Sequence, residues 1–210
     1  MLERGDIESL RRHLRKYWSA ERLKGLLGCG HDDAVSAALV GLALVGTMQD
    51  CPAVAGLLHD DDGQTADLAE HGLWSIWFRA GGGLDERLAL AVKLISRGDL
   101  DAALDGITDV LGIRPDYAEA YHQLSLVYFL RGDYKRAILN CRATLLLNPW
   151  HFGAMSTLGH CHAAMGSLGL AYTAYQRALQ LHPRLQGVRQ ALRQIRKAIP
   201  PPPVNSFTNF

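Results

Sequence analysis

The chain has 210 residues, 48% of them apolar and 20% charged, with a formal net charge of +1. That length admits one large domain or two small ones, and the near-neutral balance gives no general attraction to nucleic acid or to an anionic membrane. The charge is unevenly laid out. Residues 1–80 carry 8 basic and 12 acidic side chains, residues 81–183 carry 9 of each, and residues 184–210 carry 5 basic and none acidic.

The first ten residues lack the basic and apolar blocks of a secretory leader, and the most apolar stretch, Ala34–Met48, is too short to span a bilayer. A cytoplasmic location without membrane association is expected. The cysteines, Cys29, Cys51, Cys141 and Cys161, are spaced too irregularly for a secreted disulfide framework, so buried reduced thiols are expected. In chain order, Ile7–Tyr17 reads as a helix capped by Asp6. Residues 19–80 then repeat with a period of 31: Leu26–Leu27 recur as Leu57–Leu58, Ala38 as Ala69, Leu42 as Leu73 and Val45 as Ile76. Asp32–Asp33 and Asp60–Asp62 fall at the two turns, and a solvated loop is the better reading of the second. This pattern resembles short HEAT-like repeats, although the Val-Arg usual after such a turn is absent. Trp74, Trp77 and Phe78 follow, placed either to pack a seam or to anchor a partner. Gly81–Gly83 then marks a helix stop and a possible hinge.

A second period, of 34 residues and without gaps, occupies residues 84–185. Gly98, Gly132 and Gly166 are in register, as are Ala103, Ala137 and Ala171, Pro115, Pro149 and Pro183, and Leu90, Leu124 and Leu158. The glycines suit the left-handed end of a first helix, and Asp99, Asp133 and Ser167 are candidate N-caps of a second. The alanines allow close helix crossing, and the prolines stop the second helix. Residues 118–151, with A-x-x-Y-x-x-L, R-G-D-Y-x-x-A-I and a terminal L-N-P, resemble a tetratricopeptide repeat. Residues 84–117 and 152–185 resemble weaker copies. Gln186–Ala198, with Val188, Leu192 and Ile195 on one face, reads as a capping helix, and residues 200–210 as a disordered proline-rich tail. The expected fold is an all-α solenoid of helical hairpins: 1–80 HEAT-like, 81–83 a linker, and 84–199 a tetratricopeptide domain.

No phosphate-cradling glycine loop, nucleophile elbow or convergent pair of carboxylates stands out, so no enzyme activity, no cofactor and no small-molecule substrate are expected. His160–Cys161–His162, with Cys141 and His122 nearby, has metal-ligating chemistry. Adjacent helical residues point about 100° apart, though, and cannot all face one ion. The resemblance implies a concave groove that binds a peptide or helix of a partner protein. By register that groove is lined by Leu88, Val92 and Ile95, by Glu119, His122, Leu126 and Phe129, and by Ser156 and His160. Lys and Arg are missing from 118–130 and 152–165, so the groove is not expected to select a free acidic C-terminus. Two alternatives stay open: an accessory enzyme subunit similar to bilin lyases with HEAT-like repeats, and a weak nucleic-acid contact through Arg189, Arg193, Arg196 and Lys197.

Overall fold

The computed structural model describes the backbone of residues 4–198, which form twelve α-helices and no strand. The proline-rich tail expected at 200–210 lies outside the described residues. Helix α1 (Arg4–Tyr17) starts earlier than the Asp6 cap predicted, and α2 (Ala20–Leu26) pairs with α3 (Asp32–Val45). Helix α4 (Cys51–Gly56) pairs with α5 (Gly63–Trp77). The 31-residue period is therefore a short helix followed by a long one, made twice. Asp62 turns the chain into α5 by accepting from the Gln64 and Thr65 amides, which gives the acidic turn a capping role. Leu39, Leu42, Val54, Leu58, Ala69 and Leu73 form the core of this part. Of the four thiols, Cys51, Cys141 and Cys161 are buried as expected, whereas Cys29 is exposed in the α2–α3 turn.

The 34-residue period makes three hairpins: α6 (Leu84–Arg97) with α7 (Leu100–Ile113), α8 (Ala118–Leu130) with α9 (Tyr134–Leu147), and α10 (Phe152–Ala164) with α11 (Leu168–Leu181). Helix α12 (Gln186–Ala198) packs on α11 through Val188 and Ile195 and closes the C-terminal end. Each first helix ends in a left-handed glycine, with φ of 81° at Gly98, 76° at Gly132 and 73° at Gly166. At each site the next amide bonds back to the carbonyl five residues earlier, and this is what needs the positive φ. Asp99 and Asp133 cap the second helices through their side chains. Ser167 makes no such bond. Ala103, Ala137 and Ala171 have no exposed surface, so any larger side chain would push the paired helices apart.

The leucine column shows how the stack is built. Leu124 is 9% exposed because α7 of the preceding hairpin covers its helix, whereas Leu90, on the first hairpin, is 59% exposed. Equal repeat positions therefore carry unequal energies. Leu124→Ala should cost ~2–4 kcal/mol, whereas Leu90→Ala should stay within about 0.5 kcal/mol. Urea unfolding of the two variants tests this; equal losses would mean that α6 is covered by a neighbour in solution.

Candidate functional site

The N-terminal hairpins lie against the turns between repeats and against the starts of α8 and α10. Tyr117 Oη donates to the Phe78 carbonyl at 2.7 Å, and Arg114 donates to the Ala80 carbonyl. One repeat further along, Trp77 stacks on His151 with ring centres 4.4 Å apart, and Trp74 meets His151 and Phe152 edge-on. One repeat further still, His182 Nε2 is 2.9 Å from Glu70 Oε2, and Arg184 donates to the Gly63 carbonyl at 3.1 Å. Helix α5 and the residues just beyond it thus run along the turns that end all three repeats. Gly153 is small where this happens: a Cβ there would sit 3.1 Å from the Trp74 ring and 3.3 Å from the His122 ring. The aromatic group before the glycines therefore packs a seam.

Beneath Trp74 and Trp77 lies a buried polar trio. The Glu119 carboxylate has no exposed surface and accepts three bonds. Gln123 Nε2 donates at 2.7 Å and His151 Nε2 at 2.8 Å, and His122 Nδ1 lies 3.2 Å away. Burial alone would raise the Glu119 carboxyl, but the His122 and His151 imidazoles outweigh it and hold the group down at about 2. Burial and the neighbouring His122 push His151 the other way, below the usual imidazole range, so it is neutral at pH 7. Its Nδ1 accepts the Ala154 amide at 3.0 Å, which leaves the ring proton on Nε2, pointing at Glu119. Glu119, His122 and His151 bring their ligand atoms within 4.8 Å of one another, the proximity a metal site needs. The His151 tautomer opposes that use, because the nitrogen facing any ion already carries its proton. The trio is a hydrogen-bonded pin across two repeats.

This geometry corrects part of the expected groove. Leu88, Glu119 and His122 were expected on an open face and are buried. Trp74 packs beside His122, and Phe78 and Ala80 pack against the cluster that holds Leu88. Val92, Ile95, Leu126, Phe129, Ser156 and His160 are half-buried. Ser156 bonds back to the Phe152 carbonyl, which leaves Val92, Ile95, Leu126, Phe129 and His160 as an accessible strip. At its end, Tyr175 Oη lies 2.7 Å from His160 Nδ1. Burial raises the Tyr175 hydroxyl to about 12, so it keeps its proton and donates it, and burial lowers His160, so the ring is neutral. The imidazole proton then sits on Nε2 and is available to an acceptor in the groove. Cys161 is buried with Cys141 in the α9–α10 packing and does not share a face with His160. On α12, Arg193, Arg196 and Lys197 are exposed, and Arg189 donates to the Pro183 carbonyl. His151 and Trp74 are the residues whose part in the site the spacing did not reveal.

The pin makes stability depend on pH. Glu119 has a lower pKa folded than unfolded, so its contribution is complete above about 4.5 and is lost as pH falls toward 2. His151 acts in the same direction below 6.5, because the unfolded chain takes up a proton that the folded ring resists. We expect the urea midpoint to fall steadily from pH 7 to 3. Glu119→Gln leaves the His122 and His151 rings facing a neutral amide, should be destabilised by about 1–3 kcal/mol at pH 7, and should converge with the wild type at low pH. A constant gap between the two at every pH would remove the charge from this account.

Known proteins place the architecture. No protein-family model matches the chain. A TPR repeat-containing protein of Rhizobium etli is 30% identical over 93 residues, 44% of this chain and 46% of the relative. The Hsp70-Hsp90 organizing protein of Triticum aestivum is 27% identical over 119 residues, 57% of this chain and 20% of that protein. The chain thus spans less than half the length of these curated relatives. Among solved structures, the first TPR domain of Spaghetti (RPAP3), bound to the HSP90 peptide SRMEEVD, superposes with a TM-score of 0.53 at 24% identity, over 55% of this chain and 91% of that one. Together with the three glycine-ended hairpins, these likenesses establish that the chain carries tetratricopeptide-type repeats in an all-α solenoid.

Proposed function

We propose that this chain is a non-catalytic adaptor that holds a segment of a partner protein along the inner strip of its repeat groove. The observation that carries the reading is the accessible row Val92, Leu126 and His160, flanked by Ile95 and Phe129. It is an apolar floor that ends in one fixed donor, the His160 Nε2 proton. Such a strip favours an apolar segment, extended or helical, with an unpaired carbonyl to meet the imidazole. The strip that holds Leu88, Glu119 and His122 is, in this reading, taken by α5 and the residues just beyond it. The N-terminal pairs are then HEAT-like hairpins that serve as a built-in occupant and stiffener; their 31-residue period supports that finer reading.

The same residues argue against an acidic C-terminal peptide of the EEVD kind, such as the one bound by the structural neighbour. A carboxylate taken from water needs a cation, and the strip offers Val92, Leu126 and a neutral His160 instead. The deciding experiment immobilises the full chain, identifies the protein it retains from the native host, and measures that partner's affinity for variants. Leu126→Asp and Phe129→Ala should each weaken binding by about tenfold or more. Leu139→Asp, on an exposed position of α9, should leave it unchanged, and an EEVD-ending peptide should show no micromolar binding. Full retention by both strip variants, or micromolar EEVD affinity, would refute this assignment of the surface.

A further inference from the structure

Three arginines that no repeat motif explains meet at one cavity. Arg15 comes from α1, Arg79 from just beyond α5, and Arg114 from the α7–α8 turn. With Val45–Gln49, Ile76 and Ala80–Gly81 they line a space of about 530 Å³. No carboxylate lines it. The guanidinium of Arg79 is fixed from behind, donating to the carbonyls of Gly46 and Ala43 at the end of α3. Arg114 is steadied in the same way by the Ala80 carbonyl, and its Nε lies 3.4 Å from Asp116. Its Nη2 makes no hydrogen bond among the described residues, and Arg15 is exposed.

The local field is positive. Burial lowers Arg79 to about 10, the charges of Arg11 and Arg15 add to that effect, and Asp85 opposes it. Arg79 is still cationic at pH 7. This positive spot occurs inside a segment that is acidic as a whole, since residues 1–80 carry 12 acidic against 8 basic side chains. Like charges gathered at a partly buried site repel one another unless an anion joins them.

We infer that this cavity binds a phosphate-type oxyanion, carried by a small molecule or by a phosphorylated side chain. Guanidinium forks match the oxygens of a phosphate two at a time. Here Arg79 forms a fixed floor, while Arg15 and Arg114 supply free donors at the rim. The volume lies within the ~300–1,000 Å³ of small-molecule sites, so there is room for more than the phosphate itself, and Val45, Met48 and Ile76 offer an apolar wall to the remainder. The walls come from both the N-terminal hairpins and the first inter-repeat turn. An occupant therefore ties the two halves together and stabilises the folded chain by mass action.

Thermal unfolding of the full chain, titrated with inorganic phosphate against sodium chloride at matched ionic strength, tests this. The melting temperature should rise with phosphate and not with chloride. Arg15→Gln, an exposed change that should leave the circular dichroism spectrum intact, should weaken phosphate binding by about tenfold. Arg193→Gln on α12 should not. Glycerol phosphate and a phosphoserine hexapeptide then separate the sources. Tighter binding of either one than of inorganic phosphate supports the site and names its carrier. Equal melting temperatures in phosphate and chloride up to tens of millimolar, or unchanged affinity in Arg15→Gln, would overturn the inference.

Discussion

The buried carboxylate of Glu119 constrains everything around it. An ionised carboxylate removed from water without compensation costs several kcal/mol, more than most single contacts return. Here Gln123 and His122 come from its own helix, but His151 comes from the turn before the next repeat, 32 residues on. Water is excluded by Trp74 and Trp77, from a helix in the other half of the chain. The charge is tolerable only when two repeats and the N-terminal hairpins are all in place. A residue that would be a surface group in an isolated repeat becomes the point where three parts of the fold check one another.

That constraint decides what the groove can do. The first helix of each repeat offers two strips to the concave side. One is closed along its length by α5 and the residues just beyond it, since Phe78 and Ala80 pack near Leu88, Trp74 beside His122 and Gly153, and Glu70 on His182. Opening it would expose the Glu119 charge and break the hydrogen bonds of His182 to Glu70 and of Arg184 to Gly63, so this strip is structural. The other strip keeps its apolar side chains and has no formal charge, because His160 is held neutral by burial while Tyr175 fixes its proton. The strips differ in their neighbours more than in their composition.

The repeat fold was plain in the sequence for a physical reason. Left-handed glycines, crossing alanines and helix-stopping prolines answer to local backbone geometry, and local geometry recurs at every turn of a periodic stack. Gly132, Ala137 and Pro149 therefore announce their structural roles unaided. The split of the groove was not legible, because Leu88 or His122 has the same repeat position whether that position faces solvent or a docked helix. What would have distinguished the two is the pairing of Trp74 with Gly153 and of Glu70 with His182, 112 residues away. A single sequence carries no trace of such pairings beyond the suitability of each residue. The arginine cavity was hidden for the same reason, since Arg15, Arg79 and Arg114 are unremarkable until folding brings them together.

The two ends of the stack follow from the same arrangement. At the C-terminal end α12 covers the last hairpin with Val188 and Ile195 and turns a basic face outward. At the other end the N-terminal hairpins are diverted to the row of turns that end the repeats, where Trp74 and Trp77 pack over the Glu119 pin, and they do not continue the stack over α6. Leu90 stays exposed as a result, in a setting where Arg87, Lys93 and Arg97 are exposed too. Those charges keep the uncovered apolar surface small and discourage another helix from settling on it. The chain forgoes a cap at one end of its repeats because the helices able to supply it are held at the side, and what they gain there is the sealed half of the groove.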